Sequence, residues 1–236
     1  AAGRVLRGAR VVATVHPKTV LSMLPEGAVK PRRARRIRDL LETEGLFAVN
    51  ALLNADTHPA LPHNVYRLHA DGEGWISDGV FYQLRSGGEG KSLLLMITRS
   101  RFSEWRRWEH TATGRRGAEY GEEKIRRAGL MLGKAEEIFG PLNGAEIVDA
   151  YTPLTIRDWV SSPEGSPYGI RRSVQQLPVA ASFHRVAIGG LFFAGQNSMA
   201  PGILGTVLGS FQTVRQMIGQ ERFAAVYEEL SKESKP

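Results

Sequence analysis

The sequence predicts a mixed α/β chain with its strands clustered in the middle. Three observations predict this. Runs rich in β-branched and aromatic residues recur in "LFAVNALLN", "HNVYRLH" and "WISDGVFYQLRSGGEGKSLLLMITRS", and such residues favour strands. Helical spacing dominates the flanking regions, most clearly in "AEYGEEKIRRAGLMLGKAEEIFG". Late in the chain, "GLFFAGQNSMAPGILGTVLGSF", Gly190 to Phe211, reads as a strand, a glycine-rich turn and a helix.

In chain order, Val11 to Val15 is expected to form a short buried strand, ended by Pro17. "PKTVLSML" gives one or two helical turns. "PRRARRIRDLLETEG" follows as a helix with Pro31 at its first position and Gly45 as its stop. Its apolar stripe is Ala34, Ile37, Leu40 and Leu41. The strand candidates come next, the last two joined at Ser86-Gly87-Gly88 as a hairpin. "FSEWRRWEH" is a short helix. The long helix after it places Ile125, Ala128, Leu132, Ala135 and Phe139 on one face and stops at Gly140-Pro141. "GAEIVDAYTPLTIRDW" reads as a strand into a turn, "SSPEGSPYG" as a loop, and "RFAAVYEELSK" as a terminal amphipathic helix.

With 236 residues the chain can form one large domain or two small ones. It has no cysteine, which excludes disulfides, Cys-ligated zinc and thiol chemistry and suits a cytoplasmic location. The longest apolar run, Leu177 to Ala194, is broken by Pro178, His184, Arg185 and Gly189-Gly190, so no membrane span is expected. The N-terminus has no apolar signal segment and no Met, and reads as a fragment of something longer. A net charge of +7 fits a soluble protein, and also fits an anionic partner.

"SGGEGKS", Ser86 to Ser92, imitates the end of a phosphate loop, but Arg85 stands where a glycine is needed and a strand follows where a helix is needed. It is expected to be a hairpin turn. The histidines, His16, His58, His63, His69, His110 and His184, show no zinc-protease spacing, and no metal site is expected. Only His63, in a proline-rich turn before a strand, stands apart from surface or packing roles. No G-x-S-x-G elbow is present, and Glu122-Glu123 and Glu136-Glu137 look like solvated helix faces. Arg32, Arg33, Arg35, Arg36 and Arg38 make one helix strongly basic. Without interleaved aromatics this argues against single-stranded nucleic acid, and leaves a solvated face or contact with lipid headgroups.

The Gly190–Phe211 stretch has two physical readings. Gly202, Gly205 and Gly209 leave the start of its helix without bulk, while Val207, Phe211, Val214 and Ile218 share a face. Bare amides at a helix start carry partial positive charge and can receive a phosphate or an electron-rich ring edge. Close packing on a neighbouring element would use the same glycines.

"TPLTIRDWVSSPEGSPYGI" followed by "GLFFAGQNSMAPGILGTVLGS" resembles the C-terminal part of the FAD-dependent phytoene desaturase and carotenoid isomerase family, within the flavin-containing amine oxidase superfamily. It looks closest to the retinol-saturase-like branch. "RVVATVHPKTVLSML" resembles the family's strand returning from the substrate region to the cofactor domain. No G-x-G-x-x-G occurs, so the unit that grips the ADP part of FAD is missing from this chain.

The resemblance implies an α+β substrate domain with a mixed, mainly antiparallel sheet and helices on one side, plus the terminal strand and helix of a flavin domain whose Rossmann half is absent. Residues 1–17 and 186–236 would belong to the flavin domain and 18–185 to the substrate domain. Gly195, Gln196, Pro201, Gly202, Ile203, Leu204 and Gly205 would lie against FAD, with Gly202 and Gly205 kept as glycine so that the flavin can approach. No acid, base or nucleophile is implied. The implied partners are a hydrophobic polyene, isoprenoid or retinoid-like substrate, the missing N-terminal half and, through the basic helix, a membrane surface. The rival reading is a non-catalytic lipid-binding module.

Overall fold

Strands that are apolar on both faces belong inside a sheet, and β2 (Gly45–Asn54) and β5 (Lys91–Ser100) are of this kind. With β3 (Val65–Ala70), β4 (Ile76–Gly88) and β6 (Glu146–Tyr151) they form a five-stranded sheet in the order β3-β4-β5-β2-β6. Every pairing in it is antiparallel. Among the described residues parallel pairing is confined to β1 (Val11–Ala13) and β7 (Leu191–Phe193). This computed structural model describes residues 3, 5–74, 76–180, 182–183 and 188–233. They form two compact units, residues 44–167 and residues 1–43 with 168–236. The segments 1–17, 18–185 and 186–236 drawn from the resemblance divide the chain by cofactor contact; these units divide it by packing.

In the unit 44–167, one sheet face carries Phe47, Val49, Tyr82, Leu94 and Met96, all buried. They pack with Trp105 and Trp108 of the 3₁₀ segment Phe102–Trp108, and with Tyr120, Ala128, Met131 and Ala135 of α3 (Ala118–Phe139). Trp105 anchors this layer: it stacks on Phe47 at 5.8 Å and donates from Nε1 to Ser100 Oγ at 2.8 Å. The expected face of α3 packs on this layer: Ala128 and Ala135 are buried, and Leu132 and Phe139 pack against it. Of the five expected residues Ile125 is exposed, and Tyr120 and Met131 join the buried positions because the aromatic cluster of the 3₁₀ segment meets that side.

The β4–β5 hairpin turns at Glu89 and Gly90, both with positive φ, so "SGGEGKS" is a hairpin. After β6 the chain forms α4 (Pro153–Val160) rather than a turn. Thr152 Oγ1 accepts from the Leu154 amide at 3.2 Å and Pro153 occupies the first position. That Thr-Pro pair is a helix-start signal the reading passed over.

The other unit contains α1 (Pro17–Met23), α2 (Pro31–Arg38), the single turn α5 (Leu177–Ala180), the β1–β7 pair, α6 (Gly202–Ile218) and α7 (Gln220–Glu233). α2 starts at Pro31 as expected but ends at Arg38, well before Gly45. The chain from Leu41 to Thr43 instead pairs with residues 169–171: Glu42 bridges Ile170, Thr43 N–H donates to Gly169 at 2.8 Å, and Arg171 N–H donates to Leu41 at 2.9 Å. This pairing overrides the helical stripe and leaves Leu41 exposed. Gly45 begins β2, where an added Cβ would meet the Pro153 ring at 2.8 Å. Val11 and Val12 of β1, expected to be buried, are exposed. Among the described residues no helix is long and apolar enough to cross a membrane.

Candidate functional site

β7 delivers the chain to the glycine-rich turn. Its register with β1 is Val11↔Leu191, Val12↔Phe192 and Ala13↔Phe193, closed by the Ala194 amide donating to Ala13 at 3.0 Å. Gly195 then adopts φ +82, which favours glycine, beside the backbone of Thr14. Its carbonyl accepts from the Ser198 amide at 3.1 Å and the Ser198 hydroxyl at 2.8 Å, folding Gln196 and Asn197 into a tight loop.

α6 is fixed to this loop by its small residues. Thr213 Oγ1 donates to the Phe193 carbonyl at 2.6 Å, and Ser198 Oγ fills the place where a Gly209 side chain would stand. Gly205 is buried, and a Cβ there would overlap the backbone and side chain of Ala200. Packing therefore accounts for Gly205, which corrects the expectation that it is glycine to admit a cofactor. Gly202 differs. It opens the helix at φ +82 with nothing within 4 Å of its Cβ position. Its constraint is the turn. The helix start has no side-chain cap after Pro201, and Ile203 and Leu204 are 88% and 71% exposed. Val207, Phe211 and Val214, expected to share a face, are exposed on it, with the Phe211 ring edge-on to Phe223 of α7 at 6.4 Å. Gly195, Gln196 and Pro201 are half-buried.

Residues the sequence reading did not single out complete the loop. Asn197 is buried; its Oδ1 accepts from the Ile170 amide at 3.4 Å and its side chain takes the space beside Gly169, at φ +67. Arg172 Nη2 donates to the carbonyls of Gln196 at 3.4 Å and Asn197 at 3.3 Å. Its Nε and Nη1 are buried without a partner among the described residues. Burial lowers the pKa of this guanidinium. The adjacent Arg171-Arg172 after the Tyr-Gly loop was the available signal.

Of the histidines, His63 is exposed, and His184 lies outside the described residues. His16 is buried. Its Nδ1 accepts from the Lys18 amide at the start of α1, and its Nε2 lies 3.0 Å from Glu42 Oε2. Lys18 Nζ is 2.8 Å from Glu42 Oε1. Burial alone would raise the Glu42 pKa; His16 and then Lys18 outweigh it and hold the carboxylate below its usual range.

The unit 44–167 offers a different surface. Tyr66, Phe81, Ile97, Ala48 and Tyr151 are successive partners across its five strands, on the face opposite α3. Leu52, Leu93 and Leu95 extend this face, and they are half-buried rather than buried. Asn50 Nδ2 donates to Tyr151 Oη at 3.2 Å, a polar group at one end of an apolar wall.

The chain is 28% identical over 125 residues to an all-trans-retinol 13,14-reductase of Macaca fascicularis, 26% to the Homo sapiens protein and 25% to that of Danio rerio. The resemblance to the retinol-saturase-like branch is borne out in sequence. The match takes in 51% of this chain and only 20% of the macaque and human relatives' length. No family model matches. Among solved structures, a cyclohexylamine oxidase from Brevibacterium oxydans covers 98% of this chain and 45% of its own, with 17% identity and a TM-score of 0.49. A redesigned putrescine oxidase covers 93% and 43%, with 14% identity and a TM-score of 0.46.

The residues around Gly195–Gly205 fit the cofactor that the resemblance implies. The Gln196 amide can both donate and accept. The uncapped α6 start presents amide donors, and the Arg172 guanidinium brings buried donors to the same loop.

Proposed function

We propose that this chain is the C-terminal part of an FAD-dependent oxidoreductase that acts on a hydrophobic polyene, isoprenoid or retinoid-like substrate by hydride transfer. The relatives' name supplies the reaction class. The observation that carries it to this chain is the half-buried apolar wall of the sheet. An extended row crossing five strands spans about 19 Å at ~4.8 Å per strand. That suits a long apolar chain and offers little to a small polar substrate.

The flavin, when bound, supplies the hydride chemistry. The protein's own residues hold and orient. Gln196 hydrogen-bonds a cofactor hydroxyl, and the α6 start places positive partial charge beside it. Gly195 and Gly202 set the loop that carries both. In the sheet unit, Ile97, Leu95 and Leu93 keep water from the substrate chain, while the Asn50–Tyr151 pair holds a polar end. No acid–base pair is required of this chain. The N-terminal FAD-binding half is the proposed partner of the exposed α6 residues Ile203 and Leu204, since a contiguous apolar patch of this kind favours a covering surface.

A specific observation also favours lipid contact. Arg32, Arg35, Arg36 and Arg38 are exposed on α2, and beside that helix lies a cavity of about 360 Å³ lined by Val20, Leu21, Leu24, Val29 and Ile37, with Lys30 and Arg33 among its walls. Peripheral membrane binding would bring such an enzyme to its substrate. It is also what a non-catalytic lipid-binding module would do. The full-length gene product decides between them: FAD released on denaturation supports the enzyme, and a flavin-free protein leaves only the module.

A further inference from the structure

Arg172 is a feature of the candidate site that packing among the described residues does not explain. Its Nη2 satisfies two loop carbonyls, of Gln196 and Asn197. Its Nε and Nη1 are buried and donate to nothing among the described residues. Among the described residues no carboxylate pairs with it. A buried guanidinium with unmade hydrogen bonds is costly, and a methionine of similar reach would pack there without that cost. The neighbouring backbone is held in place: Ile170 is fully buried and its amide is bound by Asn197, so the side chain projects from a rigid base.

We propose that Arg172 is a cofactor-facing residue whose Nε–H and Nη1–H hydrogen-bond an electron-rich acceptor edge of the flavin ring. This rests on the flavin reading above and adds a cation to it. Guanidinium donors lie in one plane and match a planar edge bearing carbonyl oxygens. A cation fixed at that edge also offsets the negative charge that hydride uptake leaves on the ring, and so favours the reduced cofactor.

The first test uses the chain itself. In the ¹⁵N-labelled protein the Arg172 Nε–H resonance is assigned by its loss in Arg172→Lys, whose other resonances report an intact fold. Lumiflavin, a ring without phosphate, is expected to shift that resonance, and inorganic phosphate is not. No response to lumiflavin, or a response to phosphate alone, overturns the assignment. The second test uses the flavin-loaded full-length gene product. Arg172→Met is expected to lose about tenfold in preference for the reduced flavin, a fall of ~30 mV in midpoint potential for a two-electron couple, with Arg172→Lys retaining part of it. A methionine variant that keeps both its flavin and its potential also overturns it. Full-length protein with flavin but an unresponsive Arg172 removes this assignment alone, whereas full-length protein without flavin removes the functional reading as well.

Discussion

At Gly205 the chain shows how one missing methyl group can decide a helix position. Its Cβ site coincides with Ala200, so Gly205→Ala is expected to destabilise the chain by ~1–3 kcal/mol through overpacking. That corresponds to roughly 2–4 °C in Tm per kcal/mol for a chain of this size. Gly133 of α3 is the contrast. It has nothing within 4 Å of its Cβ site, and Gly133→Ala should gain ~0.5–1 kcal/mol from helix propensity. Melts of the two variants beside the wild type check both signs; a Gly205→Ala variant with unchanged Tm would end the packing explanation. Glu42 is a second residue with a measurable consequence. Its folded pKa lies below the unfolded value of about 4.3, so its contribution is present above that pH and is lost as pH falls through the lowered folded value. Denaturant midpoints should therefore fall below about pH 4, and Glu42→Gln should flatten part of that loss. Glu123, pulled down to about 2 by hydrogen bonds from Arg126 and Arg127, leaves some acid sensitivity in the variant. Identical acid profiles for Glu42→Gln and wild type would show that the His16–Lys18–Glu42 cluster contributes nothing through titration.

The elements differ in how openly the sequence announces them. β2, β3, the β4–β5 hairpin and α3 were legible because alternation, helical spacing and Gly stops agree with the tertiary contacts. α2 was over-extended because Leu40 and Leu41 continue its stripe, while the pairing of residues 41–43 with 169–171 leaves no local trace. The glycine turn and the start of α6 could be placed from sequence, but the inward direction of Gly205 and Gly209 could not, since cofactor approach and close packing read alike until Ala200 and Ser198 were seen against them. Arg172 and the His16–Glu42 pair were missed for the same reason: their partners lie at least 24 residues away in sequence. α2 carries its own prediction. At about 1 kcal/mol per basic residue near an anionic leaflet, changing Arg32, Arg35 and Arg36 to Gln should weaken vesicle binding by roughly a hundredfold. Sedimentation with anionic and neutral vesicles measures this; equal pelleting on both, or no loss in the triple variant, would dismiss lipid contact through this helix.

On the scale of the molecule, each compact unit has an apolar surface that is covered only in part. In one it is the outward face of α6, with Ile203, Leu204 and Val207. In the other it is the sheet face that carries Phe81, Ile97 and Leu95. The proposed flavin enzyme gives each a role, the first against the FAD-binding half and the second against an apolar substrate. The similarity to the retinol reductases covers half of this chain and a fifth of those proteins, so the remainder of the proposed enzyme has to be supplied experimentally. The most direct measurement is the visible absorbance of the full-length gene product, recorded before and after addition of an all-trans retinoid. Stoichiometric flavin bands that shift on addition, with the shift lost in Ile97→Asp while the flavin remains, are the expected result. A folded full-length protein with no flavin absorbance would contradict the central claim.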